Sequence, residues 1–210
     1  MFNEYPCLLT QIPGKLGYLH IHLQEDPQLI PSISACFEFM EIYEMPAHIR
    51  DHSIMVERIA AILTAALQEA GATLSLEKVR AGALMHDIAK SLCFGSREDH
   101  SAKGREICIR HGLDEIAEIV GEHIRLRNPL LEGPVTEKEI VYYADKRVNH
   151  DAVVSLEERL EYLIERYGKG LEALSRAIAD NFRICKGVEK KIFSTLRFEP
   201  EDLSEMVRGE

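Results

Sequence analysis

From position 32 onward the apolar residues of this chain recur at every third or fourth place, in runs separated by capping residues, glycines and prolines. A 3.6-residue period gathers such residues on one face of a helix, so the chain must fold by packing helices stripe against stripe. Ile33, Phe37, Met40 and Tyr43 mark a first helix over 32–43. Pro46 suits a first-turn position, and His52, Met55, Val56, Ile59, Leu63 and Ala66 carry a long helix to Ala70, with Gly71 ending it. Ser75 caps a third helix that runs through His86 and Asp87. Ser96 or Asp99 opens a fourth, with His100, Gly104, Ile107, Cys108 and His111 along one side. Gly104 in mid-helix costs about 1 kcal/mol relative to alanine, so something packs closely against it. Asp114 caps a fifth helix with the stripe Ile116, Ile119, Val120, His123 and Arg127, stopped by Pro129. Thr136 with Glu139 and Ser155 with Glu158 form capping boxes for a sixth helix aligning Val141, Ala144, Asp145 and Val148, and for a seventh ending at Gly168. One or two further helices cover 171–184 and 188–196.

The two ends read differently. Pro13 and Gly14 signal a turn, and residues 18–23 alternate as a half-exposed strand does, so 1–31 is read as a short hairpin or irregular cap. His20 and His22 fit the polar face of an edge strand better than a metal pair. Residues 199–210 are charged and read as a loose tail. With no repeat and no linker, 32–198 is one all-α helical domain.

The balance of charge narrows the partners. A net charge of −10 argues against duplex nucleic acid, whose binders carry basic surfaces, yet leaves room for a small phosphorylated substrate in a local basic pocket. Five cysteines without CxxC spacing fit a reducing compartment. No apolar run approaches the length of a membrane span and no signal peptide is evident, so the expected location is cytoplasmic.

Within the apolar stripes sit residues that do not belong there. His52, the His86–Asp87 doublet, His100, His123 and Asp145 fall on five separate helices, each facing inward. Any one of them is commonly a satisfied core histidine or a buried ion pair. Five such coincidences in one small domain are better explained by a single shared cause, a metal centre built from inward-facing side chains of packed helices. Imidazole nitrogens suit zinc, iron and related metals, and carboxylates add oxygen ligands. Asp87 could bridge two ions, with His52, His86 and Asp145 on one and His100 and His123 on the other.

The order His52, His86–Asp87, His100, His123, Asp145 resembles the HD superfamily of metal-dependent phosphohydrolases, in its two-metal branch written H…HD…H…H…D. Local context agrees: Val56 and Ala60 after His52, the run Met85, His86, Asp87, Ile88, Ala89, Lys90, and Glu122 before His123. The resemblance covers roughly 46–148. Some relatives carry two adjacent histidines where this chain has Glu122 and His123. The resemblance implies an HD-type helical bundle holding two divalent or transition metal ions, iron foremost, with manganese, zinc, cobalt and nickel as alternatives. It also implies hydrolysis of a phosphoester or phosphoanhydride of a small molecule, a nucleotide first, by a hydroxide that the metals share. Asp87 and Lys90 would be catalytic. Lys90, Arg125, Arg127 and Lys146 would contact substrate phosphate, the arginines through their fork geometry. The same ligand order occurs in mixed-valent di-iron oxygenases of the superfamily, and regulatory modules share its fold, so both stay open. Amphipathic carboxyl-terminal helices could form a homodimer face.

Overall fold

The computed structural model describes residues 29–209 except Arg97. The expected amino-terminal hairpin and the His20 and His22 pair lie outside the described residues. The described chain is a bundle of helices: α1 Ile33–Ile42, α2 Ala47–Glu69, α3 Leu76–Met85, α4 His100–Arg110, α5 Asp114–Glu122, α6 Glu137–Lys146, α7 Leu156–Leu163, α8 Glu172–Phe193 and the short α9 Leu203–Met206. Capping chemistry sets most starts. The Ser32 and Ser75 hydroxyls accept from the amides of Ala35 and Lys78, each at 3.2 Å. Asp99 accepts from Ser101 N at 2.9 Å. In the capping boxes Thr136 N and Ser155 N donate to Glu139 and Glu158 at 2.9 and 2.7 Å.

Two apolar clusters share the middle of the bundle. One joins Val56, Ile59, Leu63, Ile140, Tyr143, Phe182 and Ile192 of α2, α6 and α8. The other joins Met40, Ile49, Met85, Ile88, Ile107, Ile116 and Val120 at the α1, α4 and α5 end. Gly104 lies in the second, where a Cβ would come 2.8 Å from Val120 Cγ1. The helix-weakening glycine therefore lets α4 approach α5.

Several local expectations give way to packing. Helix α3 stops at Met85, so His86 and Asp87 sit in the tight turn after it, closed by Ile88 N to Met85 O at 3.0 Å. Helix α5 stops at Glu122, before His123 rather than at Pro129, and Leu113 rather than Asp114 is its cap residue. Likewise Pro46 caps α2 instead of filling its first turn. A two-stranded hairpin, β1 Val148–Asn149 with β2 Ala152–Val153, forms the connection between α6 and α7 in a chain read as all helix and loop from 32 onward. Its turn holds His150 at φ 56°. The seventh helix ends in a π-helical turn, Ile164–Gly168. Helix α8 passes unbroken through Gly187, whose missing side chain admits Leu131; a Cβ there would lie 2.7 Å from Leu131 Cδ1. The stretch read as a loose charged tail is instead docked. Leu203 is fully buried and Val207 nearly so, both within the first cluster, and Pro200 O accepts from Arg147 Nη2 at 2.9 Å.

Candidate metal centre

Three helices and two turns converge on one point. His52 comes from the second turn of α2, Asp145 from the last turn of α6 and His100 from the first position of α4. His86 with Asp87 follows α3, and His123 follows α5. His52, His86, Asp87 and His123 are buried, while the His100 side chain is 24% exposed.

Asp87 stands at the middle and serves two sides. Its Oδ1 lies 3.1 Å from His100 Nε2 and 3.5 Å from His123 Nε2. Its Oδ2 lies 3.4 Å from His86 Nε2 and 4.0 Å from His52 Nε2. Asp145 Oδ1 closes the second side at 3.1 Å from His52 Nε2 and 3.7 Å from His86 Nε2. Two metal-capable triads result, His52–His86–Asp87 and Asp87–His100–His123, sharing the one carboxylate. Donors that bind one ion at about 2.1 Å stand about 3–3.5 Å from one another, so these separations match a ligand shell with little adjustment.

The imidazoles are oriented as ligands need to be. The Nδ1 of His86 contacts Ala83 O at 2.7 Å, that of His123 contacts Val120 O at 2.7 Å, and that of His52 contacts His150 O at 3.0 Å. A carbonyl only accepts, so Nδ1 carries a proton in each, and Nε2 is the atom turned toward the centre. His86 Nε2 is buried with no hydrogen-bond partner. An unpaired buried nitrogen costs free energy unless something binds it, and a cation held among these donors would do so. The donor set therefore fits a metal.

The electrostatics agree. Burial opposes the charge on Asp87, but His86, Lys90, His100 and His123 outweigh it and hold the carboxyl well below the usual range. Burial likewise opposes ionisation of Asp145, and Lys146, His52 and His86 reverse the balance. Burial lowers the His123 pKa to about 4, despite its contact with Asp87. For His86 burial also pulls down, yet Asp87 and Asp145 prevail and its pKa is raised. The centre is thus a pair of permanent carboxylates among imidazoles.

The flanking cations divide. Lys90 is one-third exposed and donates to Asp87 Oδ2 at 2.6 Å. Arg125 is exposed and forms no hydrogen bond or ion pair among the described residues. Arg127 is also exposed, its nearest acid Glu118 at 3.8 Å. Lys146 is buried, with Asp145 Oδ2 at 3.0 Å, the His123 carbonyl as a second acceptor and the Tyr142 ring centroid 4.2 Å away. Its ammonium has partners inside the protein. Glu122 turns from the centre and accepts from Arg127 N at 2.7 Å and Lys138 at 3.1 Å. The carbonyls of Ala83, Val120 and His150, which orient the ligands, were invisible to side-chain periodicity. Only the placement of each histidine after a helix end or beside the unexpected hairpin reveals them.

Comparison with known proteins meets this geometry from another direction. The chain is 29% identical to an uncharacterized protein of Methanocaldococcus jannaschii over 147 residues, which is 64% of this chain and 86% of that protein. No solved structure gives a significant match. The HD domain family matches residues 49–149, the span that supplies all six inward-facing residues, and this helical core is an HD domain.

Proposed function

We propose that the protein is a metal-dependent phosphohydrolase acting on a small phosphorylated molecule, foremost a nucleotide, at a centre of two metal ions. The observation that carries this reading is Asp87 presenting one oxygen to each of two histidine sets. His52, His86, Asp145 and Asp87 Oδ2 would hold one ion, and His100, His123 and Asp87 Oδ1 the other. Nitrogen and oxygen donors of this kind suit iron first, and also manganese, zinc, cobalt and nickel. Metal ions bound there would supply Lewis acidity and an activated water.

The chain's own residues do the rest. The carbonyls behind His52, His86 and His123 fix ring orientation, so the donors need not reorganise during reaction. Lys90, poised on Asp87 at the open side, neutralises charge on the phosphoryl group. The Arg125 guanidinium has no hydrogen bond or ion pair among the described residues and that of Arg127 stands 3.8 Å from Glu118, so both can turn to phosphate oxygens. Lys146 holds Asp145 from behind.

The test is phosphate release from nucleoside mono-, di- and triphosphates, dinucleoside polyphosphates and cyclic nucleotides, with chromatography of the products. Protein is supplied with manganese or ferrous iron, and Asp87→Ala is the blank. Turnover that vanishes in the variant supports the reading. Silence across the panel from protein that retains its metals overturns it, and iron-dependent oxygen consumption would then assign an oxygenase.

A further inference from the structure

His52, His86 and His123 each hold a backbone carbonyl at Nδ1, but they find it in two ways. For His86 and His123 the acceptor lies three positions earlier, at Ala83 and Val120, in the turn that the histidine itself continues. For His52 it is the carbonyl of His150, 98 positions later, at 3.0 Å. Asp145 takes the other nitrogen of the same ring, with Oδ1 3.1 Å from Nε2. The stretch from Asp145 to His150 therefore grips His52 at both nitrogens, and among the described residues no hydrogen bond from α2 itself orients that ring.

The turn that carries the His150 carbonyl is held at its base and at its tip. At the base, Arg147 O accepts from Val154 N at 2.8 Å and Arg147 Nε donates to Val154 O at 2.6 Å. The strand pairs Val148–Val153 and Asn149–Ala152 follow, leaving His150 and Asp151 alone to join the strands. His150 takes φ 56° there, a left-handed conformation that a β-branched side chain resists. Helix α7 braces the tip. Arg159 Nη1 donates to Asn149 Oδ1 at 2.9 Å, and the Tyr162 ring meets the His150 ring edge to face with centroids 5.5 Å apart. Three positions apart, Arg159 and Tyr162 share one face of α7, and the guanidinium lies 5.5 Å from the Tyr162 ring centroid. Both residues fall beyond the family span of 49–149.

We infer that Arg159 and Tyr162 are positioning residues of the metal centre. They brace the turn 149–152, the turn fixes the carbonyl that accepts from His52 Nδ1, and Nε2 is thereby aimed at the ion shared with His86, Asp87 and Asp145. This rests on the two-ion centre proposed above and not on hydrolysis. The effect is one-sided, because no hydrogen bond or ring contact joins His100 or His123 to this turn among the described residues.

The experiment measures cobalt(II) binding, by visible absorption and dialysis, in two backgrounds. His100→Ala leaves the ion on the His52 side, and Asp145→Ala leaves the ion on the His100 side. Adding Tyr162→Ala weakens binding about tenfold or more in the first background and less than about twofold in the second, as loss of a group behind a ligand histidine does. Tyr162→Phe, which keeps the ring against His150, restores the affinity in the first. Variants are compared at matched helicity. If Tyr162→Ala loses helicity, His150→Gly takes its place, since it removes the other ring of the pair while glycine accepts φ 56°. Equal weakening in both backgrounds, no weakening in either, or failure of Tyr162→Phe to restore binding overturns the inference. A parent protein that takes up no cobalt overturns it together with the centre. Normal cobalt binding without phosphate release from any substrate removes the hydrolase reading alone.

Discussion

The Nε2 of His52 lies 3.1 Å from Oδ1 of Asp145, although 93 positions separate them in the chain. Asp145 touches only the side of the centre that His52 and His86 form, whereas Asp87 spans both sides. That asymmetry predicts different losses. Asp145→Ala should lose the ion on its own side and retain the other, while Asp87→Ala should lose both. Each should lower kcat/KM by roughly a hundredfold to a thousandfold or more. Metal content by elemental analysis, beside circular dichroism to check helicity, reads the difference. Equal metal loss in the two variants, or retained activity in Asp87→Ala, would sink the bridging role.

Metal uptake should displace a proton from His86. In the metal-free protein its pKa stands above the ordinary histidine value of 6.5, since Asp87 and Asp145 outweigh the opposing effect of burial. A ligand imidazole must be neutral at Nε2. Between 6.5 and its raised value the free protein still holds that proton, so apparent metal affinity should climb as pH rises through this window. His123, at about 4, is already neutral there and contributes nothing. Calorimetry at neutral pH in buffers of different ionisation enthalpy measures the proton released, and a buffer-independent heat would contradict the assignment.

Gly104→Ala should destabilise the protein despite the better helix propensity of alanine. The new methyl would stand 2.8 Å from Val120 Cγ1, and Val120 is fully buried. Overpacking of this kind costs about 1–3 kcal/mol, against a gain of at most about 1 from propensity. Because Val120 O is the acceptor for His123, the strain should also weaken metal binding on the His100 side. Thermal unfolding with and without metal tests both parts.

Lys146→Met should act on stability and not on substrate affinity. It removes the ammonium that donates to Asp145 Oδ2 in that buried corner and one donor to the His123 carbonyl. Breaking a buried pair by deleting one partner costs about 3–5 kcal/mol. Denaturant unfolding should register most of this in the metal-free protein, with KM nearly unchanged. A large rise in KM at unchanged stability would instead place Lys146 on the substrate.

Leu203→Ala should unfold the protein at lower temperature. The side chain is fully buried in the same cluster as Phe182 and Ile192. Loss of a buried leucine costs about 2–4 kcal/mol, or roughly 5–15 °C in a chain of this length. An unchanged melting temperature would mean that the carboxyl-terminal turn is dispensable to the fold.

The sequence by itself determined the helical class, most helix starts and the inward-facing residues, because each leaves a local mark. Apolar spacing follows from 3.6 residues per turn. The cap at Ser75 and the boxes at Thr136 and Ser155 follow from amides that a helix start leaves unpaired. His52, His86, Asp87, His100, His123 and Asp145 stand out because polar groups in apolar stripes need a partner. Tertiary structure decided what local pattern cannot encode. Gly187 looks like a helix breaker until Leu131, 56 positions earlier in the chain, fills the space it leaves. Residues 199–209 look like a solvated tail until Leu203 and Val207 find the core. The proton positions on His52, His86 and His123 depend on backbone carbonyls whose direction exists only once helices end where they do. Long-range packing sets those ends, and so sets which nitrogen of each histidine faces the centre.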